Sequence, residues 1–431
     1  MNFVGVDIGA SNTRMTNSKY DFFAIPNNVA LLTTEVNGQT VPDMEVSKVS
    51  PGSSDITESL EVIIKGDNKE ASMFPVHVLM GFMGTSYGAT SVPTSATRKS
   101  RQAINYISVI TAAAVSKMRS DLENDLMLIV AVPPIEVDVA KEEMQKNLLG
   151  KWTVEFPKYN GGTTVEFTVK DLITVPEGAM AMTSFFLNPY NTEIAEHKDY
   201  QSKTLLSIDI GASTTDLAIV QSKRVLRKTY RTIKLGGNTA DSALVNQILA
   251  KYDIKVDSEN LAKGMQTGYI KNGGSSMLNV SDCVIKAKQE LAAKIYDKMR
   301  EYFDEVDVQL SSIDAIVVSG GGSMSSEFKQ RNGDTVETLV TSQPMSTYLY
   351  EILKKNNPNI NIDVVSHSDN PRLANIYGIC IIGHSLEHNA KAKQGAVVTQ
   401  QPAPAPQPLT MNNDASANGA TPGQASVNLT V

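Results

Sequence analysis

The pentapeptide Asp-Ile-Gly-Ala-Ser occurs twice in this chain, at residues 7–11 and again at residues 209–213. Each copy follows a short apolar run, at residues 3–6 and 205–208, and is itself followed by polar residues and a second run. This order predicts a buried strand, a small-residue turn and a second strand. A single copy is compatible with an ordinary hairpin. Two matching copies predict a chain built from two related halves.

The composition of the repeated turn is suited to binding phosphate and a metal ion. Glycine and alanine allow backbone N–H groups to approach an anion closely, and Ser and Thr hydroxyls add further donors. A carboxylate at the end of the strand is a suitable ligand for Mg²⁺ or for its bound water. The two turns are therefore candidate binding loops.

Length and charge narrow the class of protein. The 431 residues exceed one typical hydrophobic core, so two domains are expected. The net charge of −7 argues against a large basic face, and we expect no direct contact with nucleic acid. Two cysteines are too few for a disulfide framework, and Asp7 interrupts the region where a signal peptide needs an apolar stretch. No apolar run approaches the roughly 20 residues of a membrane span, so we expect a cytoplasmic protein.

Helices and buried strands alternate along the chain, which predicts an α/β sheet core. In the first half, a helix over residues 101–122 leads into an apolar strand at residues 126–132. A hairpin at residues 153–169 turns at Asn160-Gly161-Gly162, and a further strand at residues 172–175 ends at Pro176-Glu177.

The second half repeats the plan after its hairpin. The predicted elements are a helix at 239–251, a loop-rich section to 281, a helix at 281–303, a strand at 315–318 that runs into Gly320, and a closing helix near 371–384. From residue 391 onward the composition changes to Gln, Pro, Ala, Asn, Thr and Ser, which predicts a disordered tail.

The order of these motifs resembles that of the actin, Hsp70 and sugar-kinase superfamily of ATPases. The matching segments are residues 4–14 and 207–216 for the two phosphate motifs, 316–322 for the adenosine motif and 374–378 for the second connecting helix. Within the superfamily, the chain is most similar to plasmid-segregating actins of the ParM type. The likeness covers residues 1–390 and rests also on Val132-Pro133, Asn160-Gly161-Gly162, residues 173–177, Leu235-Gly236-Gly237 and residues 374–383.

The resemblance implies duplicated actin-like (ribonuclease H-like) α/β domains with a nucleotide cleft between them. The first half would occupy residues 1–200, with a small subdomain inserted at about 30–100. The second would occupy residues 201–390, with an adenine-side subdomain at about 240–315, before the tail at 391–431.

The resemblance also assigns roles to residues. Asp7 and Asp209 would hold Mg²⁺ through water, and Glu177 would position or deprotonate the attacking water. The residues expected to contact ATP, or GTP as an open alternative, are Gly9, Ala10, Ser11, Asn12, Thr13, Arg14, Gly211, Ala212, Ser213, Thr214, Thr215, Gly236, Gly237, Gly320, Gly321 and Gly322. Arg14 stands where the family usually has lysine, and a planar guanidinium is not equivalent to an ammonium group. Glu177 has a second interpretation as a helix N-terminal glutamate that the helix dipole favours.

The function implied is an ATP-hydrolysing protein that forms filaments with itself and segregates plasmid DNA through a small DNA-binding adaptor. A non-polymerising ATPase of the same fold and a metabolite kinase are the alternatives. Two other patterns are set aside. The chain lacks a Walker-type Gly-x-x-x-x-Gly-Lys loop, and His384-Ser385-Leu386-Glu387-His388 matches a zinc-protease pattern without an evident third ligand.

Overall fold

The computed structural model describes residues 1–9, 12–31, 59–68, 74–81, 102–159, 161–273, 276–332, 335–368 and 370–393. These residues form two compact units. Of the described residues, the first unit comprises those within Met1–Pro176, Leu187–Glu193 and 376–393, and the second comprises those within Glu177–Phe186 and Ile194–Asn375. The predicted tail lies almost entirely outside the described residues, as do most residues of the predicted inserted subdomain.

The first unit contains a nine-stranded mixed sheet in the order β3-β2-β1-β7-β9-β8-β5-β6-β4. Its strands are β1 (Asn2–Ile8), β2 (Asn12–Asn17), β3 (Phe23–Pro26), β4 (Val29–Leu31), β5 (Ser59–Gly66), β6 (Val76–Gly81), β7 (Asp125–Val132), β8 (Gly150–Phe156) and β9 (Thr163–Pro176). The β1–β2 pair is antiparallel, whereas β7 lies parallel to both β1 and β9. Strand β7 is buried from Leu126 onward, which is typical of a central strand with parallel neighbours on both sides.

Helices α1 (Ala103–Ser120) and α2 (Val137–Leu148) also belong to the first unit. The predicted helix at 101–122 and the predicted strand at 126–132 are therefore confirmed. The sequence suggested a separate strand at residues 172–175, but this segment is not separate. It is the second part of β9, whose pairing with β7 shifts register between Leu126 and Met127, so that one strand spans both predicted runs.

The second unit contains a sheet in the order β12-β11-β10-β16-β19, with β13 pairing to β11. Its strands are β10 (Thr204–Ile210), β11 (Thr215–Gln221), β12 (Arg224–Val225), β13 (Arg231–Ile233), β16 (Ala315–Ser319) and β19 (Asp363–Ser366), and two separate hairpins are β14 (Tyr269–Lys271) with β15 (Met277–Asn279) and β17 (Ser326–Asn332) with β18 (Thr335–Ser342). As in the first unit, an antiparallel hairpin is followed by two parallel neighbours.

Five helices lie wholly in the second unit: α3 (Ala179–Phe186), α4 (Gly237–Tyr252), α5 (Ser258–Thr267), α6 (Ser281–Val306) and α7 (Met345–Asn356). Helix α6 has the apolar face that its sequence spacing predicted, from Cys283 to Phe303. The section before residue 281, predicted to be rich in loops, instead contains α5 and the β14–β15 hairpin. Six short 3₁₀ turns complete the described structure: Pro134–Glu136, Ala195–Tyr200, Arg227–Thr229, Leu310–Ser312, Gly321–Ser323 and Pro371–Leu373.

Helix α8 (Ala374–Lys393) ends the described chain, and its main part packs on β1. A Cβ atom on Gly5 would clash with the side chain of Ile379, and one on Gly383 would lie 2.6 Å from Phe3 ring carbons. The close approach of helix and strand therefore requires a glycine on each element. His384 stacks on Tyr20 and meets Phe3 edge-on, so packing accounts for this part of the zinc-protease pattern.

Candidate functional site

The first repeated hairpin is closed by a backbone bond, in which Gly9 N–H donates to the Asn12 carbonyl at 3.0 Å. Asp7 lies opposite Arg14 in the β1–β2 register, and Arg14 Nη1 is 3.2 Å from Asp7 Oδ2. The Asp7 carboxylate is buried, so this ion pair offsets part of its loss of hydration. Arg14 was predicted to contact phosphate, and the structure directs it to Asp7.

Thr13 and Asn27 hold this turn from beneath. The Thr13 hydroxyl is fully buried and donates to Asn27 Oδ1, and Asn27 Nδ2 donates to the Gly9 carbonyl. Thr13 therefore serves the turn in this structure. Asn12 is half-buried, and the predicted contacts Ala10 and Ser11 lie outside the described residues. Sequence reasoning missed Asn27 because only its position in the folded sheet brings it to Gly9.

The second hairpin closes in the same way, with Gly211 N–H donating to the Thr214 carbonyl at 2.8 Å. Asp209 lies opposite Asp216 rather than opposite an arginine. The Thr215 hydroxyl is buried and donates to the Leu235 carbonyl at 2.8 Å, so it anchors the loop. Ser213 and Thr214 are half-buried at the tip, and Ser213 Oγ accepts a hydrogen bond from Asn238 Nδ2 at 3.0 Å.

The start of α4 is bonded to this loop. Gly237 N–H donates to the Gly211 carbonyl at 2.9 Å, and Asn238 N–H donates to the Ala212 carbonyl at 2.7 Å. A Cβ on Gly236 would lie 2.7 Å from both carbonyl oxygens, so packing alone requires this glycine. A Cβ on Gly237 would have no neighbour closer than 3.7 Å. Gly237 is thus free of that packing constraint.

The three consecutive glycines after β16 also differ in whether packing requires them. Gly320 has a φ of +87°, and its Cβ would clash with Asp209 Oδ1 and the Ile210 carbonyl. A Cβ on Gly322 would lie 2.6 Å from the Ile210 side chain. Gly321 is exposed, and its nearest neighbour, Arg372 Nε, would be 3.6 Å away. Packing explains the first and third glycines, and the second is open to a ligand.

Glu177 is buried in the turn before α3, where Gly178 has a φ of +71°. The turn lies close to Asp209, because a Cβ on Gly178 would be 3.9 Å from Asp209 Cβ. Asn375 joins the two features. Its Oδ1 accepts from Gly178 N–H at 3.0 Å and Ala181 N–H at 3.2 Å, and its Nδ2 donates to Asp209 Oδ2 at 2.8 Å. The structure therefore links the Asp209 carboxylate to the backbone that follows Glu177 through one amide.

A second group of side chains supports α3. His367 Nε2 lies 2.7 Å from the Ala181 carbonyl and 3.0 Å from Ser184 Oγ, and Ser184 donates to the Ala374 carbonyl at 2.6 Å. A carbonyl oxygen only accepts, so Nε2 carries the proton of a neutral imidazole. Burial lowers the pKa of His367 to about 4.

The donor set suits a magnesium nucleotide. The oxygens of Asp209 are hard ligands of the kind Mg²⁺ prefers, and the open positions Gly237 and Gly321 permit close backbone approach. Within the described ranges, no three His, Cys, Asp or Glu side chains form a ready metal cage. A metal here would keep water and phosphate oxygens as its other ligands, which is usual for Mg²⁺.

Two family models match the chain. One describes the N-terminal domain of actin-like proteins and matches residues 5–179, and the other describes the C-terminal part of the archaeal actin homologue MreB-like and matches residues 207–330. The chain is an actin-like protein. This assignment confirms the resemblance inferred from the motifs, together with the α/β fold class.

Solved structures share the fold of this actin-like chain at low sequence identity. The crystal structure of the actin-like protein Alp7A has a TM-score of 0.64 and 14% identity, over 91% of this chain and 98% of that one. A 15-stranded ParM filament from Clostridium botulinum has a TM-score of 0.59 and 17% identity, over 89% and 99%. The archaeal actin homologue Ta0583 in complex with ADP has a TM-score of 0.58 and 16% identity, over 89% and 100%.

No curated relative matches the actin-like chain by sequence. Among its described residues, no helix is both long and apolar enough to cross a bilayer.

Proposed function

We propose that this actin-like protein binds and hydrolyses Mg-ATP and assembles into filaments that segregate plasmid DNA in the cytoplasm. The observation that carries the proposal is the hydrogen-bonded group of Asp209, Asn375 and the Glu177 turn, beside the glycines of the second hairpin. Such a group offers a metal-binding carboxylate and a second carboxylate within one unit. The ADP complex of Ta0583 and the ParM filament from Clostridium botulinum support the nucleotide and the polymer.

Each proposed residue has a definable task. Asp209 and Asp7 would hold Mg²⁺ through water, and Glu177 would orient the attacking water or accept its proton. The bound metal would supply charge neutralisation at the β- and γ-phosphate oxygens. Asn12, Ser213 and Thr214 donate to phosphate oxygens, and the backbone of Gly237 and Gly321 lies along the nucleotide. Arg14 holds Asp7 in place, and its contact with phosphate stays a prediction.

Filament formation requires that one copy present two different surfaces, since head-to-tail contacts form an open polymer when their rotation does not close a ring. A small DNA-binding adaptor is proposed as the link to plasmid DNA, consistent with the net charge of −7.

The proposal is tested by sedimentation of the purified chain at high speed with MgCl₂ and ATP, GTP, ADP or no nucleotide. We expect protein in the pellet with a triphosphate, filaments by electron microscopy and release of phosphate over time. Protein that stays in the supernatant with each nucleotide would refute the filament. Phosphate release that depends on an added hydroxyl compound would instead favour the metabolite kinase.

A further inference from the structure

Asn375 makes three side-chain hydrogen bonds, two at its oxygen and one at its nitrogen, and all three lie within the proposed reaction machinery. Its oxygen accepts two backbone N–H groups from the turn after Glu177, and its nitrogen donates to the Asp209 carboxylate. Only one orientation of the amide satisfies these partners, because a backbone N–H needs an acceptor and a carboxylate needs a donor.

The residues around the Asn375 side chain restrict its position. Asp209 and Glu177 are buried, and Gly320 packs so closely on Asp209 that no Cβ fits between them. Ser184 donates a hydrogen bond to the carbonyl of Ala374, the residue before Asn375. His367 donates to the carbonyl of Ala181. The backbone on both sides of the Asn375 amide is therefore fixed by further hydrogen bonds, and the amide has little freedom to turn.

We infer that Asn375 is a positioning residue that sets the Asp209 carboxylate and the Glu177 turn in one fixed relation. This role rests on the proposed function, since it assigns Asp209 to the metal and Glu177 to the water. Asn375 donates to Asp209 Oδ2, and the other carboxylate oxygen, Oδ1, lies beside Gly320. Loss of the amide would remove the donor to the Asp209 carboxylate and the acceptor for the backbone after Glu177, so hydrolysis would fall more than nucleotide affinity.

Two substitutions separate the two halves of the role. Asn375→Ala removes all three bonds. Asn375→Asp keeps an acceptor for the two N–H groups but replaces the donor to Asp209 by a like charge. We expect each variant to lower kcat for ATP hydrolysis by about 10- to 100-fold, the range of one charge-assisted hydrogen bond, with a change in nucleotide Kd of less than about threefold.

The matched control is Asn357→Ala, in the same unit but outside the proposed site. Asn357 Nδ2 donates to Tyr296 Oη at 2.7 Å and to the Leu353 carbonyl at 3.3 Å. It should lower thermal stability while leaving kcat within about twofold of the unmodified protein. Hydrolysis at the unmodified rate by Asn375→Asp would reduce Asn375 to a helix cap, and the same result for Asn375→Ala would overturn the role altogether.

A measurement without nucleotide tests the contact independently. A double-mutant cycle of Asn375→Ala with Asp209→Ala, followed by denaturant unfolding, should give a non-additive effect. Additive effects would refute the coupling between the two residues. If the unmodified chain neither hydrolyses ATP nor sediments, the proposed function fails, while the cycle still decides whether Asn375 holds Asp209.

Discussion

The two copies of the pentapeptide share a backbone turn and differ in what surrounds the carboxylate. In the first hairpin, Asp7 faces Arg14 and is paired with it. In the second, Asp209 faces Asp216 and is held by the neutral amide of Asn375. An arginine therefore faces the first carboxylate across its hairpin, whereas another acidic side chain faces the second. The comparison teaches that a repeated sequence specifies a repeated backbone, and that the partners decide the chemistry of each copy.

The largest expected effect comes from Glu177, whose turn is linked through Asn375 to Asp209 of the second hairpin. Glu177→Ala should slow hydrolysis by about 100- to 10,000-fold, the contribution of a general base, while the variant still binds Mg-ATP. Filaments should consequently persist longer. Phosphate release in single-turnover assays and turbidity over time measure the two effects. Normal phosphate release from the variant would leave Glu177 with the structural role of a helix N-terminal glutamate.

Removal of each aspartate tests the difference between the hairpins directly. Asp209→Ala should weaken Mg-nucleotide binding by about 100-fold, because it removes a buried, metal-binding carboxylate that the neutral amide of Asn375 supports. Asp7→Ala should weaken it by only about tenfold, since the Arg14 guanidinium is released and partly replaces the lost interaction with phosphate. Calorimetric titration with Mg-ADP gives both dissociation constants. Equal losses in the two variants would show that the surrounding charges do not distinguish the hairpins.

His367, which supports helix α3, should make folding stability depend on pH. The pKa of His367 falls to about 4 in the folded protein from an ordinary 6.5, because burial disfavours the charged form. The unfolded chain therefore binds more protons between these values, and folding stability is complete above pH 6.5 and is lost as the pH falls toward 4. The loss attributable to His367 is about 3 kcal/mol at most.

Urea unfolding between pH 4 and pH 7 measures this dependence. His367→Gln keeps a donor for the Ala181 carbonyl without titrating, and its stability should change less over the same range. Parallel curves for the variant and the unmodified protein would assign the acid sensitivity to other groups.

The smallest expected difference concerns the glycines at the two turns. A Cβ on Gly9 would lie 2.8 Å from the Asn12 carbonyl oxygen, whereas a Cβ on Gly211 would lie 3.1 Å from the Thr214 carbonyl oxygen. Gly9→Ala should therefore cost about 1 kcal/mol more stability than Gly211→Ala. Denaturant midpoints compare the two variants, and a larger cost at Gly211 would contradict the geometry of the turns.

Much of the sheet order could be predicted from local patterns. The repeated hairpins, β7 and the apolar face of α6 follow from runs and periodicities of several residues, which are the patterns that sequence carries best. The segments 258–279 and 326–356 gave no such signal, because their helices and hairpins are short and mix exposed with buried positions. Local propensity is weak in elements of this length, and packing decides them.

The candidate site could be predicted only in part. Asp209, Glu177 and the glycines stand in recognisable motifs, but their partners do not. Asn375 reaches Asp209 across 166 residues of chain, and no local pattern reports such a contact. Arg14 was expected to contact phosphate because of its position in the motif, and its pairing with Asp7, which follows from the register of β1 with β2, was not predicted.

Gly5 on β1 and Gly383 on α8 let this strand and helix pack closely, and the contact has a consequence for the order of folding. Gly5 and Phe3 belong to β1, while Ile379 and Gly383 belong to α8, which follows the second unit in the sequence. Because helix and strand interlock, the first unit gains this layer only after the second unit has been synthesised. The half that is made first is thus completed last, and nascent chains would expose the outer face of β1 until α8 arrives.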